Sequence, residues 1–501
     1  MSTPWPSAIY LVGTILVLVL IVLYCRDSAL RHIPGLPGAG YSSLRHVRSI
    51  ISKGLLKDYV TWCRQYGELV RIEPNVLLTS SPDLVMHMSG VRSRYGKDSA
   101  FYLLAHLAPG KENLASLLDD PTHNRHKSLL APAYTKDISG AREPTIDSHL
   151  RKFLQDVQSN YLSTTAAVKL MDLSKGSQYF TTKAIIELTY GPDFEDLLED
   201  KAVAGLVEMP EGAFNMPGFL YATRLTKVMG LIGQLMASKE DTDDGFGKFL
   251  NVASRLKNSS AETKRLGMVQ TYLQNGMSPE QVAHDALTQV LAGQVTVSAA
   301  ISGIMILLMS NPRVLSALRK EIDAAVSDGA MSLDEVIISY AKALALPYLQ
   351  AVVREGLRFF PPTVDPLPRV APQEGDSVKV GDRTVFIPGG TRVLTSTWSI
   401  TRNTEVFGED ADAFRPERWI GLDGPRSARM QKVADLIFGF GKGRCLGITI
   451  ARMMICKSIF ELVRRFDMAL TEPWSPMSNV LNMGAWERSG MMVVVTERED
   501  N

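Results

Sequence analysis

The first hydrophobic pattern in this chain is an unbroken run, because residues 8–25 contain no charged side chain. A helix over this run would rise about 27 Å at ~1.5 Å per residue, close to the thickness of a bilayer core. A cleaved signal peptide is the alternative, but it usually has a basic segment before the apolar core and a small-residue cleavage site. No Lys or Arg precedes the run, and Tyr24-Cys25-Arg26 is a poor cleavage site. The pattern therefore predicts an uncleaved transmembrane anchor.

Basic residues follow this run and none precedes it, so the positive-inside rule places the body of the protein in the cytosol and residues 1–7 in the lumen. These basic residues are Arg26, Arg31, Arg45, Arg48 and Lys53. Residues 26–40 end in Ile33-Pro-Gly-Leu-Pro-Gly38, where proline stiffens the chain and glycine lets it turn. We expect a linker here between the anchor and one domain over residues 41–501.

The body alternates long helical patterns with short extended ones. Residues 55–66 have helical spacing, and residues 67–80 form two short apolar runs around Pro74-Asn75, which is typical of a hairpin. Residues 378–393 alternate and turn as small β-ribbons do. Ser278-Pro279-Glu280 has the form of a helix start, and the helix it begins continues to about Asn311. The pattern predicts a mainly α fold with small β-sheets and one long central helix.

Composition and charge exclude several classes of protein. The chain has 501 residues, 45% hydrophobic and 21% charged, which is an ordinary globular composition. Its 54 basic and 53 acidic residues leave a net charge of +1, so no charge field favours nonspecific nucleic-acid binding. Four cysteines are too few and too scattered for a disulfide framework. All eight histidines lie at or before His284, so no local Cys/His zinc site forms near the late cysteines.

The segment 438–447 holds the most informative cysteine, Cys445. Three glycines at 439, 441 and 443 permit tight turns, and helical spacing begins at Leu446, so the thiol should lie at a helix N-terminus. Lys442 and Arg444 add positive charge, which lowers a thiol pKa. Such a thiolate serves as a nucleophile, a redox thiol or a metal ligand. A buried core cysteine remains open at this point, and a phosphate loop would need a Gly-Lys-Ser/Thr that is missing.

The spacing Phe438-x-x-Gly441-x-x-x-Cys445-x-Gly447 resembles the cysteine loop of the cytochrome P450 family, the haem-thiolate monooxygenases. The resemblance implies that Cys445 is the axial ligand of haem iron and that Phe438 and Gly441 belong to the haem site. The family usually has a basic residue two positions before the cysteine, where it meets a haem propionate. Gly443 stands there instead, so the resemblance transfers that contact to Lys442 or Arg444, of which we assign Arg444 to the haem site.

Two further segments match the family in order along the chain. Glu355 and Arg358 fit its Glu-x-x-Arg motif, and residues 414–419 fit its Pro-Glu-Arg-aromatic segment. Taken alone, a Glu–Arg pair three positions apart on a helix is usually a solvated surface pair. The resemblance instead implies that Glu355, Arg358 and Arg418 form a buried ionic triad that holds the cysteine loop. Its role is structural.

Three residues are implied to bind the two haem propionates. His123 and Lys127 match the family's helix in which an aromatic or histidine precedes a basic residue by four positions, and the pair would bind one carboxylate together. A plain polar helix face is the alternative reading of these residues. Arg369, in Pro368-Arg369-Val370, matches the family's strand arginine that contacts the other propionate.

The middle of the long helix aligns with the family's oxygen-binding segment. The resemblance implies that Gly293 leaves room for dioxygen and that Thr296 donates a hydrogen bond to it and helps to deliver protons. The acid expected before this threonine is replaced by Val295, whose side chain has no ionisable group and cannot relay a proton. Asp285 lies on the same stripe of the helix, about 16 Å from Thr296 at ~1.5 Å per residue, so it would face solvent or meet a polar end of the substrate.

The resemblance covers residues 30–495 and implies a membrane-bound monooxygenase that inserts one oxygen atom from dioxygen into a lipophilic small molecule. Electrons would come from NADPH through a cytochrome P450 reductase, with cytochrome b5 as a further candidate partner, on the endoplasmic reticulum membrane. The helix at His123 and the Pro-Glu-Arg-Trp segment look most like fungal members, many of which make secondary metabolites such as terpenoids, alkaloids or polyketides. Two alternatives remain: a haem-thiolate enzyme that desaturates, couples or rearranges without net oxygen insertion, which Val295 motivates, and a membrane-tethered binding protein without catalysis.

Overall fold

The structure is a computed structural model, and the predicted anchor at 8–25 lies outside its described residues except for Thr14. The described residues are 14, 29–52, 54–106, 111–135, 142–208, 248–249, 251–257, 267–327, 337–364, 367–421, 423–475, 478–482 and 485–498.

Helices make up most of the described chain, as the sequence predicts. The α-helices are α1 Leu44–Ile51, α2 Leu55–Tyr66, α3 Pro82–Ser89, α4 Ser99–Tyr102, α5 Asp120–Leu130, α6 Pro132–Thr135, α7 Glu143–Asp156, α8 Leu173–Tyr190, α9 Asp200–Val207, α10 Val252–Lys257, α11 Met268–Gln274, α12 Pro279–Met309, α13 Pro312–Ala325, α14 Tyr340–Leu344, α15 Pro347–Phe359, α16 Thr397–Ile400, α17 Thr404–Phe407, α18 Pro425–Ala434 and α19 Ile448–Arg465. Short 3₁₀ turns include Pro416–Trp419, Asp435–Phe438 and Gly441–Gly443.

The strands form small sheets at the margins of the helical body. They are β1 Leu69–Glu73, β2 Val76–Thr79, β3 Gly96–Lys97, β4 Leu170–Asp172, β5 Arg369–Val370, β6 Asp376–Val380, β7 Arg383–Ile387, β8 Arg392–Thr395, β9 Phe466–Leu470, β10 Ser478–Asn482, β11 Ala485–Ser489 and β12 Met492–Glu497. One sheet has the order β1-β2-β8-β5-β3, with β2 and β8 parallel and the other pairs antiparallel. The others are β4-β12-β9, β6-β7 and β10-β11. The predicted hairpin is β1-β2, and the predicted ribbons are β6, β7 and β8, so both predictions are confirmed.

The central helix α12 begins where the sequence predicts and ends two residues earlier than the predicted Asn311. Ser278 and Gln281 form a reciprocal capping box, with Pro279 at the first helical position, so the start of the helix is fixed by local chemistry. The helix packs against α8, α15 and α19 in the main hydrophobic core. Within the described part of the chain it is also the one helix that is long and apolar enough to cross a membrane, but two thirds of its most apolar window is buried in the protein.

Candidate active site

The cysteine loop, residues 438–447, is fixed by its glycines and by one backbone hydrogen bond. Gly441 has φ +54°, and a Cβ there would lie 2.3 Å from the carbonyl oxygen of Ser89, so only glycine fits. The backbone N–H of Cys445 donates to the carbonyl of Phe438 at 2.8 Å, which closes the loop. The Phe438 ring packs against the main core and lies under the guanidinium of Arg452, 5.3 Å from its centroid. The loop therefore presents Cys445 in one defined place.

The thiol of Cys445 is exposed although protein surrounds it, so it lines an internal cavity. The residue lies just before α19, and its side chain is accessible. Burial has the largest influence on the thiol and raises its pKa. The backbone N–H groups of Gly447 and Ile448 and the ammonium of Lys127 lower the pKa, in opposition to burial. These three groups would stabilise a thiolate once a metal ion replaces the thiol proton.

The central helix also exposes a side chain in the middle of its otherwise buried length. Ala292 is exposed, while its neighbours along the helix toward Met309 are largely buried. The hydroxyl of Thr296, one turn further on, donates to the Ala292 carbonyl at 2.9 Å. Since Ala292 and Thr296 share one face of the helix, that face borders a cavity.

Gly293 lies at the contact between the central helix and α8. A Cβ on Gly293 would lie 2.4 Å from Cδ1 of Ile185 on α8, so the space beside this glycine is filled by a side chain rather than open. Glycine therefore lets the central helix pack closely against the Ile185 side chain. The room for dioxygen beside Gly293 remains a prediction.

The amide beside Thr296 is held away from the cavity. Gln294 is buried, and its Nε2 donates to the Leu206 carbonyl at 3.2 Å while Oε1 accepts from the Thr182 hydroxyl at 2.7 Å. Val295 follows it, and the acids of the central helix are Glu280 and Asp285, both in its first two turns. The helix therefore supplies no carboxylate next to Thr296.

Basic side chains converge on one end of this cavity, and Lys97 is one that sequence reasoning missed. Lys97 and Arg369 are directly paired in the antiparallel register of β3 and β5. Arg369 donates from Nη1 to the Tyr102 hydroxyl at 3.1 Å, and Lys97 donates to the Leu117 carbonyl at 2.7 Å. Burial, followed by repulsion from Arg369, lowers the pKa of Lys97 to about 8. The pairing register, which the sequence does not display, is the signal that would have found Lys97.

Helix α5 contributes His123 and Lys127 to the same end. His123 is buried, and burial followed by repulsion from Lys97 lowers its pKa to about 4. Lys127 donates to the carbonyls of Lys442 and Arg444 at 3.0 and 2.7 Å, so its ammonium clamps the cysteine loop. The sharing of one haem carboxylate by His123 and Lys127 remains a prediction, and the structure adds the contacts of Lys127 with these two carbonyls. We call Lys97, His123, Lys127 and Arg369 the cation cluster.

The structure shows which cation lies beside Gly443. A Cβ on Gly443 would lie 3.2 Å from Nη2 of Arg369, so the missing side chain leaves room for that guanidinium. Lys442 turns away, since its buried ammonium donates to the carbonyls of Ser93 and Tyr95 and pairs with Asp120. The side chain of Arg444 is exposed. Arg369 is therefore the cation next to the position where the family has its basic residue.

These residues fit a planar cofactor with one metal ligand and two carboxylates, such as the haem that the resemblance implies. The Nε of Arg369 is buried and has no hydrogen-bond partner among the described residues, which an anionic group would satisfy. Two cations held face to face across neighbouring strands repel each other unless an anion lies between them. A thiol open to the cavity and this cation cluster are together the donor set for that cofactor.

Glu355, Arg358 and Arg418 are brought together in the protein interior. Arg358 donates to both oxygens of Glu355 at 2.8 and 2.7 Å, and Arg418 donates to Oε1 at 3.1 Å. Trp419 adds an indole N–H to Oε2 at 2.8 Å, and the backbone N–H of Arg415 donates to Oε1 at 3.0 Å. All three members of the triad are at most 3% exposed. The remaining N–H groups of Arg358 reach the carbonyls of residues 401, 411 and 413, so the triad ties α15 to the segment that precedes the cysteine loop.

Asp285 faces neither solvent nor a free part of the cavity, which corrects both of its predicted roles. It is 4% exposed, and its two oxygens contact His126 of α5 and the backbone N–H of Leu114. Its partners lie far away in the sequence, so helical spacing gave no sign of them.

Besides the central helix, the family resemblance implies substrate contacts for residues 101–118, 214–220, 363–367 and 480–486, and these segments are described only in part. Phe101 and Val364 are buried at 7% and 4% exposure. Residues 214–220 and 483–484 lie outside the described part of the chain, and residues 480–482 and 485–486 are described as backbone only.

Comparison with known proteins gives the same family along nearly the whole chain. A family model described as Cytochrome P450 matches residues 41–491. Cytochrome P450 monooxygenase aba1 of Botryotinia fuckeliana is 31% identical over 451 residues, which cover 87% of this chain and 86% of the relative. Cytochrome P450 monooxygenase ABA1 of Pyricularia oryzae is 32% identical over 501 residues, covering 95% of this chain and 94% of the relative. Cytochrome P450 monooxygenase abl1 of Leptosphaeria maculans is 29% identical over 429 residues, covering 82% and 73%.

Proposed function

The chain belongs to the cytochrome P450 family of haem monooxygenases, which receive electrons from NADPH through a reductase, and we propose that it inserts one oxygen atom into a lipophilic small molecule of fungal secondary metabolism. A terpenoid, alkaloid or polyketide scaffold is the proposed substrate class. Similarity to chains from three fungi supports this assignment. The observation that carries the oxygenase role is the accessible Cys445 directly before α19, a helix that packs against the central helix on which Ala292 is exposed.

We propose that Cys445 is the axial ligand of haem iron. Bound haem supplies the reductive activation of dioxygen, and a thiolate ligand favours cleavage of its O–O bond. The protein holds the thiolate through the backbone N–H groups of Gly447 and Ile448 and the nearby ammonium of Lys127. Phe438 and Gly441 fix the loop that presents it.

We propose that Arg369, Lys97 and His123 bind the haem carboxylates. Arg369 has an unpartnered buried Nε, and Lys97 has a pKa that an anion would raise. Neutral His123 acts as a hydrogen-bond donor from one ring nitrogen. Arg444, exposed beside the loop, stays in the proposed set as an outer contact.

Thr296 is the proposed proton-holding residue on the substrate side of the cavity. Its hydroxyl donates to Ala292 in this structure, and rotation about χ1 would turn the proton toward the cavity. Water then completes the relay that Val295 does not provide. Val295, beside Thr296 in the sequence, and the buried Val364 are apolar, which suits a lipophilic ligand.

We also propose that residues 8–25 anchor the chain in the endoplasmic reticulum membrane with the domain in the cytosol, as the charge pattern around this run favours. The reductase would dock where α5 and the cysteine loop meet the surface. Arg125 and Arg444 are exposed there and suit an acidic electron donor, cytochrome b5 included.

The test is turnover under ¹⁸O-labelled dioxygen by membranes that co-express the chain and a reductase, supplied with extracts of the source organism. A product that carries the label and is lost in Cys445→Ala supports oxygen insertion. A Cys445-dependent product without label supports the second candidate, a desaturation, coupling or rearrangement, which Val295 favours. If the reduced protein gives no thiolate-type absorption band with carbon monoxide, both haem functions fail and a binding protein remains.

A further inference from the structure

The carboxylate of Asp285 joins three elements that lie around the cavity. It stands in the second turn of the central helix, on the same face as Ala292 and Thr296. Oδ2 lies 2.6 Å from Nε2 of His126 on α5, and Oδ1 accepts the backbone N–H of Leu114 at 2.8 Å. A buried carboxylate with a partner on each oxygen is an anchoring point, because removing it leaves two polar groups unsatisfied.

The segment bound by Leu114, residues 111–118, is rigid in itself. We call it the Asn113 loop, since Oδ1 of Asn113 accepts the N–H groups of Ala115 and Ser116 at 2.9 and 3.1 Å. The Asn113 amide donates to the Ala105 carbonyl at 2.8 Å, which ties the loop to the turn after α4. These internal hydrogen bonds hold the loop together, so its position depends on its hydrogen bonds to neighbouring elements.

Residues 114–117 of the Asn113 loop are bonded to two different elements, the strand β3 and the central helix. Lys97 of the cation cluster donates to the carbonyls of Ala115 and Leu117 at 3.3 and 2.7 Å. Asp285 holds the other side through Leu114. The loop thus connects Lys97, which belongs to the cation cluster, with the central helix.

One turn further along the central helix, Gln289 contacts the neighbouring helices α6, α8 and α11. Its Oε1 accepts from the hydroxyl of Tyr134 at 2.7 Å and from that of Tyr272, and its Nε2 donates to Thr189 at 2.7 Å. This network is fixed at every polar atom. Asp285, in contrast, bonds both the Asn113 loop and helix α5.

From these contacts we propose that Asp285 is a positioning residue: with His126 it clasps the Asn113 loop to the central helix and thereby sets how fast small ligands enter and leave the cavity. The proposal rests on the proposed haem site. It assigns no contact between Asp285 and substrate, since both of its oxygens are occupied. The clasp consists of the side chains of Asp285 and His126 and one backbone N–H, so side-chain variants at residues 285 and 126 isolate it.

The experiment is stopped-flow binding of 4-phenylimidazole to the holoenzyme, followed by the Soret shift that accompanies nitrogen ligation of haem iron. Asp285→Ala removes both contacts, and we expect association and dissociation rate constants to rise about tenfold, since each lost bond to a charged group weakens the loop attachment. Asp285→Asn keeps an oxygen for the Leu114 N–H and a polar group beside the His126 ring, so its rates should stay near the wild-type values. Asp467→Ala, which removes a carboxylate paired with Arg319 elsewhere in the fold, is the matched control.

A second measurement separates positioning from general destabilisation. Amide hydrogen exchange at residues 113–117 should accelerate in Asp285→Ala while that of β9 and β12 is unchanged. If Asp285→Ala yields no holoenzyme, His126→Ala, which keeps the Leu114 bond, should still raise the ligand rates above those of Asp285→Asn. Equal rates in wild type, His126→Ala and Asp285→Asn would then overturn the clasp. A wild-type protein with no Soret band would instead reject the haem site itself.

Discussion

Lys97 and Arg369 lie directly opposite each other on the antiparallel strands β3 and β5, although 272 positions separate them in the sequence. Like charges at paired positions destabilise a sheet, and these two are also withdrawn from bulk water. Tyr102 lies against both, since Lys97 and Arg369 approach its ring at 4.9 and 5.7 Å. A dianionic cofactor between the two cations would explain this arrangement, because its carboxylates would attract both cations and offset their mutual repulsion.

Replacing Lys97 should therefore remove a pH dependence of haem binding. In the free site burial lowers the pKa of Lys97 to about 8, whereas a bound carboxylate raises it. Binding is then coupled to proton uptake above pH 8, so haem affinity should fall as pH rises from about 8, by up to tenfold per pH unit. Lys97→Met should bind haem about tenfold more weakly at pH 7, because a charge-assisted bond is lost, and should lack this slope.

The measurement is the equilibrium partition of haem between the enzyme and apomyoglobin at pH 7 to 9.5. Lys379→Met, which changes an exposed lysine on β6, is the control and should behave as wild type. An identical pH slope in wild type and Lys97→Met would show that Lys97 does not contact the cofactor.

The buried triad gives a prediction about folding. Glu355→Gln leaves the guanidinium groups of Arg358 and Arg418 without their shared carboxylate, and breaking a buried ion pair in this way costs about 3–5 kcal/mol. We expect little holoenzyme, measured as the carbon-monoxide band per amount of expressed protein, and a lower thermal midpoint for what remains. Glu208→Gln, which removes one side of the exposed pair with Lys175, should leave both values unchanged. Normal haem content in Glu355→Gln would contradict the structural role.

The acid position of the central helix gives a prediction about proton delivery. Gln294 is bonded to Leu206 and Thr182, so it does not replace the acid that Val295 lacks. Val295→Asp would place a carboxylate next to Thr296 and should lower the ratio of hydrogen peroxide released to product formed. Val295→Asn, similar in size but without a titrating group, is the matched control. If Val295→Asp and wild type release the same ratio, proton supply at this position does not limit coupling.

The motifs that the sequence revealed are those whose partners are local or whose spacing is fixed by a turn or a helix. The Cys445 loop, the Glu355–Arg358 pair and the start of the central helix at Ser278 are of this kind. Lys97 could not be identified from the sequence because its position opposite Arg369 depends on the pairing register of β3 and β5. Asp285 was misjudged for the same reason, since its partner His126 is 159 positions away. Long-range pairing decides such residues, and a single sequence does not contain it.

Gly293 shows how a residue in a recognised motif acquires a further physical role from its surroundings. A Cβ at this position would lie 2.4 Å from Cδ1 of Ile185 but 3.5 Å from Cγ1 and Cγ2 of the same side chain. One terminal methyl group is thus the whole obstacle. Gly293→Ala should cost about 1–3 kcal/mol through overpacking between the central helix and α8.

Trimming that methyl group should relieve the clash. Ile185→Val removes Cδ1 and alone should cost about 0.5–1.5 kcal/mol for the small cavity it leaves. In the double variant the added Cβ partly fills the space that the lost Cδ1 vacates, so the unfolding free energy should exceed the sum of the single effects by about 1 kcal/mol or more. Denaturant unfolding of the four holoenzymes measures this coupling. If the two costs simply add, the helix contact does not explain why glycine occupies position 293, and the open space predicted from the motif would have to be reconsidered.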